Sequence, residues 1–183
     1  MSKLKIYTYP DMILAQKALP IQHVDKSYFQ FADQMLETMY EAPGIGLAAN
    51  QVGKLERLIV IDVDYAPSDD EDAPDPDQEL KKKNPIIIIN PEIIYREGST
   101  VTKEGCLSVP NYRSEVKRDE KIKIKYLNID GLEKELSAEG LLAVCVQHEM
   151  DHLEGKLFID RLSPLKKDFA KKKLIKARRE KER

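Results

Sequence analysis

Cysteine and histidine are scarce in this chain, no charge of either sign dominates, and no apolar run is long. Two cysteines in 183 residues exclude a disulfide framework and point to a reducing compartment. The purest apolar stretches, residues 141–146 and 86–89, fall far short of the roughly 20 residues a membrane span requires. The first residues, MSKLKIYTYPDMIL, lack the apolar core and small-residue cleavage site of a secretion signal, so the expected location is the cytoplasm. Thirty basic and thirty-two acidic residues give a net charge of -2, which as a total argues against a polyanion partner. That total is uneven. Residues 58–80 hold nine acidic and no basic residues, whereas residues 166–183 hold ten basic and three acidic ones. The rest of the chain is neutral.

What is present is the composition of a soluble globular protein, 42% hydrophobic and 34% charged. The length fits one domain with an appendage, against about 150 residues per domain, and one core of that size buries roughly 70% of the unfolded surface. Phe29, Ala32, Leu36 and Met39 recur at helical spacing after Asp25, which reads as the N-cap. This predicts a helix over Lys26–Glu41, ended by Pro43-Gly44. Residues 58–63 read as a buried strand, and the β-branched run 86–90 as a central one. Between them, residues 64–83 are acidic, Pro-rich and nearly free of large apolar side chains. They cannot bury enough surface to offset their ordering entropy and read as an inserted loop. Ile122, Ile124 and Tyr126 alternate with Lys123 and Lys125, a strand with one wet face. The turn 128–131 leads to a partner strand at 133–136. Ser137 is the predicted cap of a helix over 138–153, and Ser163-Pro164 starts a basic C-terminal helix. Strands and helices mix without βαβ alternation, which makes the class α+β. The organisation expected is a catalytic body over 1–165, carrying the acidic loop 64–83, and a basic helical tail over 166–183.

The helix after Ser137 spells His148-Glu149-Met150-Asp151-His152. Residues four apart share one helix face, so two imidazoles there can hold one metal ion. Glu149 stands beside the first of them, where its carboxylate reaches a water activated at that ion without binding the ion itself. Two of only three histidines lie here, and the apolar stripe Leu141, Cys145 runs into them, so they face inward. A catalytic centre needs a third protein ligand. No histidine follows His152, and His23 sits in a Pro-flanked segment, so a cysteine is the better candidate. Cys106 lies in Glu104-Gly105-Cys106-Leu107-Ser108; Cys145, one turn before His148, reads as a pocket-lining hydrophobe. A third cluster, GIGLAANQ over 44–51, combines small residues with Gln51, whose amide N–H could polarise a carbonyl.

These three clusters, in this order, resemble the peptide deformylase family of bacterial type, over about residues 9–165. The resemblance also takes in Pro10, Leu14 and Asn90-Pro91. It implies small antiparallel sheets around a central metal-bearing helix, and hydrolytic removal of the formyl group from formyl-methionine of nascent polypeptides. It implies that Cys106, His148 and His152 bind one divalent metal, ferrous iron in the cell with zinc (Zn2+), nickel (Ni2+) or cobalt (Co2+) as substitutes. Glu149 would be the general base and then the general acid. Gln51 and the Leu107 N–H would hold the oxyanion. Ile45, Leu141, Val144 and Cys145 would line the methionine pocket, Arg113 would contact the substrate backbone, and Gly46 would pair with the peptide like an added strand. A general metallopeptidase is the competing enzyme reading; the Cys106 motif together with Gln51 distinguishes the two. The basic tail, which attracts phosphate through counterion release, adds the expectation of ribosome docking near the nascent chain. No membrane role is expected.

Overall fold

A computed structural model describes residues 3–65 and 83–181. The acidic loop expected over 64–83 therefore lies almost wholly outside the described residues. The elements are α1 (Lys26–Glu41), β1 (Gly46–Ala48), β2 (Leu58–Ile61), β3 (Ile86–Glu97), β4 (Thr100–Cys106), β5 (Val109–Arg118), β6 (Lys121–Leu127), β7 (Glu133–Glu139), α2 (Gly140–Leu153) and α3 (Pro164–Lys181). Short 3-10 turns occupy Met12–Ala15, Ala49–Val52 and Phe158–Arg161. Five strands form one sheet in the order β1-β2-β3-β6-β7, and β4 and β5 pair separately. All pairings of these strands are antiparallel.

The pattern of apolar residues explains the layers. Along β2, Ile59 and Ile61 pack with Ala143, Cys145, Val146 and Leu153 of α2. Leu58 and Val60, on the opposite face, pack with Phe31, Ala32, Met35, Leu36 and Met39 of α1. The strand is buried on both faces, which is why its sequence is continuously apolar. A third cluster joins Val109 and Val116 of β5 to Leu157, Phe158 and Ile159 and to Ala170 and Leu174 of α3. α3 is thus anchored along its inner face, with Ala170 at 0% and Leu174 at 5% exposure.

Four details differ from the reading of the sequence. Phe29 is 43% exposed, because the buried face of α1 is centred on Phe31, Ala32 and Met35 instead. The Asp25 cap forms as expected, its side chain accepting from the Ser27 N–H at 2.8 Å. β3 does not end at Asn90: it runs on to Glu97 through register shifts. Pro91 supplies no N–H to the ladder, Asn90 takes φ 51, and the Asn90 side chain bonds both the N–H and the carbonyl of Ile21, at 2.9 and 2.8 Å. Ser137 does not cap α2. It pairs with Lys123 in β7, and α2 starts at Gly140, whose φ of 59 makes the sharp strand-to-helix turn. Leu141, placed on the buried stripe from spacing alone, is 51% exposed.

Candidate active site

α2 is the central element. It is buried on nearly all sides, with His148 at 8%, Glu149 at 4% and His152 at 1% exposure. One turn of helix brings the two imidazoles together, with centroids 5.1 Å apart. The tight end of β4 and the turn into β5 deliver Cys106 from the other side, its Sγ 3.3 Å from His152 Nε2. One donor atom each from Cys106, His148 and His152 lies within 4.8 Å of the others. A soft thiolate with two imidazoles is a donor set for zinc or iron. The remaining ring nitrogen of His148 is already committed, donating to Glu104 Oε2 at 2.9 Å. That bond leaves Nε2 to face the cluster. Glu149 Oε2 and His152 Nδ1 are buried without a hydrogen-bond partner among the described residues. Both the donor geometry and the orphaned carboxylate oxygen fit a metal ion and an accompanying water.

Gln51 sits in the Ala49–Val52 turn, 1% exposed. Its Oε1 accepts from the Ala48 N–H at 2.8 Å. Because that backbone group can only donate, the amide orientation is settled. Nε2 then points to Ser108 Oγ at 3.1 Å and Cys106 Sγ at 3.6 Å. The Leu107 side chain closes over Gly44. A Cβ on Gly46 would lie 2.5 Å from Glu149 Oε1 and 2.8 Å from Cys145 Sγ, so only glycine lets the β1 backbone lie against these groups. Arg113 crosses the backbone at Gly105, where a Cβ would be 3.2 Å from its Cγ. Ile45 is half-buried against the α2 cluster, and Val144 and Cys145 are buried. Leu141 stands on the same α2 face, exposed. His23 is exposed and does not belong to the metal cluster.

A group of buried charges behind His148 was not legible in the sequence. Arg118 is wholly buried and donates to Glu104 at 2.7 and 2.8 Å and to Asp151 at 2.5 Å. Asp151 also takes two bonds from Arg161, at 2.5 and 2.7 Å. Phe158 stacks on His148 with centroids 6.0 Å apart. Asp151 lies inside the helix motif and Glu104 inside the cysteine motif, but nothing local marks Arg118 as their common partner.

The electrostatics follow from burial and these partners. Burial pushes the Glu149 carboxyl up to about 7, with His148 and Arg118 opposing and Glu104 and Asp151 reinforcing the rise. Burial pulls His152 well down and pushes the Cys145 thiol well up. Glu104 is the reverse case: burial would raise it, but Arg118 and His148 outweigh burial and hold it below the carboxylate range.

A half-buried cysteine and two buried histidines, with an adjacent glutamate and an amide donor, define a metal-dependent hydrolase on an α+β scaffold. The family model described as polypeptide deformylase matches residues 3–168. A peptide deformylase of Syntrophobacter fumaroxidans is 48% identical over 173 residues, covering 94% of each chain. "Peptide deformylase 2" of Xanthomonas campestris pv. campestris is 48% identical over 182 residues, covering 98% of each. Among solved structures, a Legionella pneumophila peptide deformylase superposes with TM-score 0.84 at 41% identity, covering 100% of this chain and 99% of its own. One from Ehrlichia chaffeensis, in complex with actinonin, gives TM-score 0.84 at 41% identity, covering 97% and 98%. The chain belongs to the polypeptide deformylase family, enzymes that remove N-terminal formyl groups from nascent peptides.

Proposed function

We propose that this chain hydrolyses the formyl group from N-terminal formyl-methionine of nascent polypeptides in the cytoplasm, releasing formate. The observation that carries this reading is the convergence of Cys106, His148 and His152 with the Gln51 amide and the buried Glu149. Cys106, His148 and His152 hold one divalent ion, ferrous iron in the cell, with zinc, nickel or cobalt able to replace it. When bound, that ion polarises a carbonyl and makes water nucleophilic near neutral pH. Gln51 Nε2 and the Leu107 N–H receive the developing oxyanion; one such donor is worth about 3 kcal/mol. Glu149 accepts a proton from the attacking water. As the formyl C–N bond breaks, it returns that proton to the departing amine. Ile45, Leu141, Val144 and Cys145 line the methionine pocket, Arg113 holds the substrate backbone, and the Gly46 backbone pairs with the extended peptide.

Formate release from a formyl-Met tripeptide, measured with metal content after anaerobic purification, tests this reading. Stoichiometric metal with formate release is expected. Cleavage of internal peptide bonds at a comparable rate would favour the metallopeptidase reading instead.

We further propose that the catalytic body over 1–165 is brought to the ribosome by the basic segment 166–183. Support comes from the outward face of α3, where Leu165 and Phe169 are 82% and 64% exposed and Lys172, Lys176 and Arg179 continue the stripe. Truncation is a poor test, because Ala170 and Leu174 belong to the core. Reversing the charge of Lys172, Lys176 and Arg179 spares that inner face. The triple variant should lose salt-sensitive co-sedimentation with ribosomes while releasing formate from a short peptide at the wild-type rate. Undiminished co-sedimentation would refute ribosome docking through this face.

A further inference from the structure

One buried carboxylate has no part in the chemistry above. Asp62 directly follows β2 and is 1% exposed. Its Oδ2 accepts from the Tyr40 hydroxyl at 2.6 Å and from the Asn84 backbone N–H at 2.9 Å. Its Oδ1 accepts from the Tyr65 N–H at 3.2 Å. The donors come from the end of α1 and from the two described residues' flanks of the acidic segment. Tyr40 and Tyr65 meet edge-on with centroids 4.5 Å apart, and the Lys83 ammonium lies 4.2 Å from the Tyr40 centroid. Burial, and then Asp62 itself, push the Tyr40 phenol well up, so it remains a donor. A carboxylate with three donors and no exposure has little freedom to move.

The backbone of the same residue faces the site. The Asp62 N–H donates to the Ile45 carbonyl at 2.9 Å, one step beyond the Gly46↔Ile61 pair of the sheet. Cys145 Sγ approaches that carbonyl at 3.6 Å. β1 is the first strand of its sheet, so its outer edge is where an extended peptide would add main-chain hydrogen bonds. Such bonds weaken steeply with misplacement, and a shift of Ile45 carries Gly46 with it.

We propose that the Asp62 carboxylate, clasped by Tyr40, Tyr65 and Asn84, is a positioning group for peptide binding: it fixes the backbone of Ile45 and Gly46 in the place at which substrate pairs with β1. The inference rests on the deformylase reading. It predicts an effect that grows with the length of substrate backbone available for pairing.

Asp62→Asn and Tyr40→Phe test it, with kcat and KM measured on a formyl-Met tripeptide and on formyl-methionine methyl ester, alongside metal content. Asp62→Asn should raise the tripeptide KM about tenfold and Tyr40→Phe about threefold, the range expected for weakened charge-assisted bonds. The kcat and the metal content should stay within about twofold of wild type, and the KM for the ester, which shares the methionine pocket at Ile45 but offers no backbone beyond it, should rise clearly less than that for the tripeptide. A merely structural role would lower the active fraction and depress turnover of both substrates alike, and that result overturns the proposal. So does an unchanged tripeptide KM. Where Asp62→Asn fails to fold, Tyr40→Phe decides, since it keeps the ring and removes one hydroxyl. A wild-type protein that releases no formate overturns the deformylase reading and this proposal with it; an active wild type with unmoved variants overturns this proposal alone.

Discussion

Glu149→Ala leaves a protein that binds its metal and does not turn over. The carboxylate stands outside the three-atom donor cluster, so its loss removes no ligand. It is 4% exposed, and its Oε2 has no partner among the described residues. Truncation to alanine therefore strands no hydrogen-bonding group, and folding should survive. The reaction, by contrast, loses the group that takes and returns the proton. A positioned acid–base side chain contributes roughly 10²–10⁴-fold, and one residue serving both proton transfers places the expected fall in kcat at the upper end. Cys106→Ala is the matching control. It removes the only sulfur donor of the cluster, so metal content after dialysis and formate release should both collapse. Metal analysis with single-turnover formate assays on the two variants separates the roles. Loss of metal from Glu149→Ala, or its retention in Cys106→Ala with turnover intact, would contradict the assignment of ligands and base.

The Asp25 cap and the extent of α1 were legible because local chemistry decides the outcome there. Asp25 caps α1 because its own side chain reaches the Ser27 N–H, an interaction spanning two residues. The doubly buried β2 is legible as a continuous apolar run because both faces meet helices. Legibility fails where a partner far along the chain overrides local preference. Ser137 is a good cap in isolation, yet its pairing with Lys123 places it in a strand. Asn90-Pro91 reads as the end of a strand, yet Ile21, 69 residues away, satisfies the Asn90 side chain and lets β3 continue.

The candidate site divides in the same way. The helical spacing of His148 and His152 places two imidazoles together from sequence alone. That Cys106 comes within 3.3 Å of His152 depends on the β4–β5 pair folding onto α2, and spacing only ranked it as the better cysteine. Gln51 is identifiable as an amide in a loop of small residues, but its orientation follows from the Ala48 N–H. The groups behind the imidazoles were invisible: Arg118 is one basic residue among thirty, and only the tertiary fold reveals that it is wholly buried.

Arg118→Met should produce the largest loss of stability of any single change considered for this protein. In the intact fold the guanidinium bridges Glu104 and Asp151, with side-chain exposures of 0%, 5% and 10% respectively. Removing it leaves two buried carboxylates, of which Asp151 keeps Arg161 and Glu104 keeps only His148. Breaking a buried ion pair from one side costs roughly 3–5 kcal/mol, which for a chain of this size lowers the melting temperature by about 10 °C. The pH dependence identifies the cause. For both carboxyls burial raises the pKa, but their cationic partners outweigh it and hold each below its ordinary range. A depressed carboxyl contributes stability that is present above its unfolded pKa and is lost as pH falls through the folded one. In the variant the same carboxyls, buried with less cationic support, take up protons more readily. The stability gap between wild type and variant should therefore persist at neutral pH and narrow as pH falls into and below the ordinary carboxyl values of 4.5 and 3.8. The site should respond as well. Glu104 orients His148 through Nδ1, and disturbing such a partner costs roughly 10–100-fold in metal affinity. Thermal denaturation at two pH values and metal titration of the dialysed protein check all three consequences; a variant that melts with wild type at neutral pH would show that the bridge does not hold the fold.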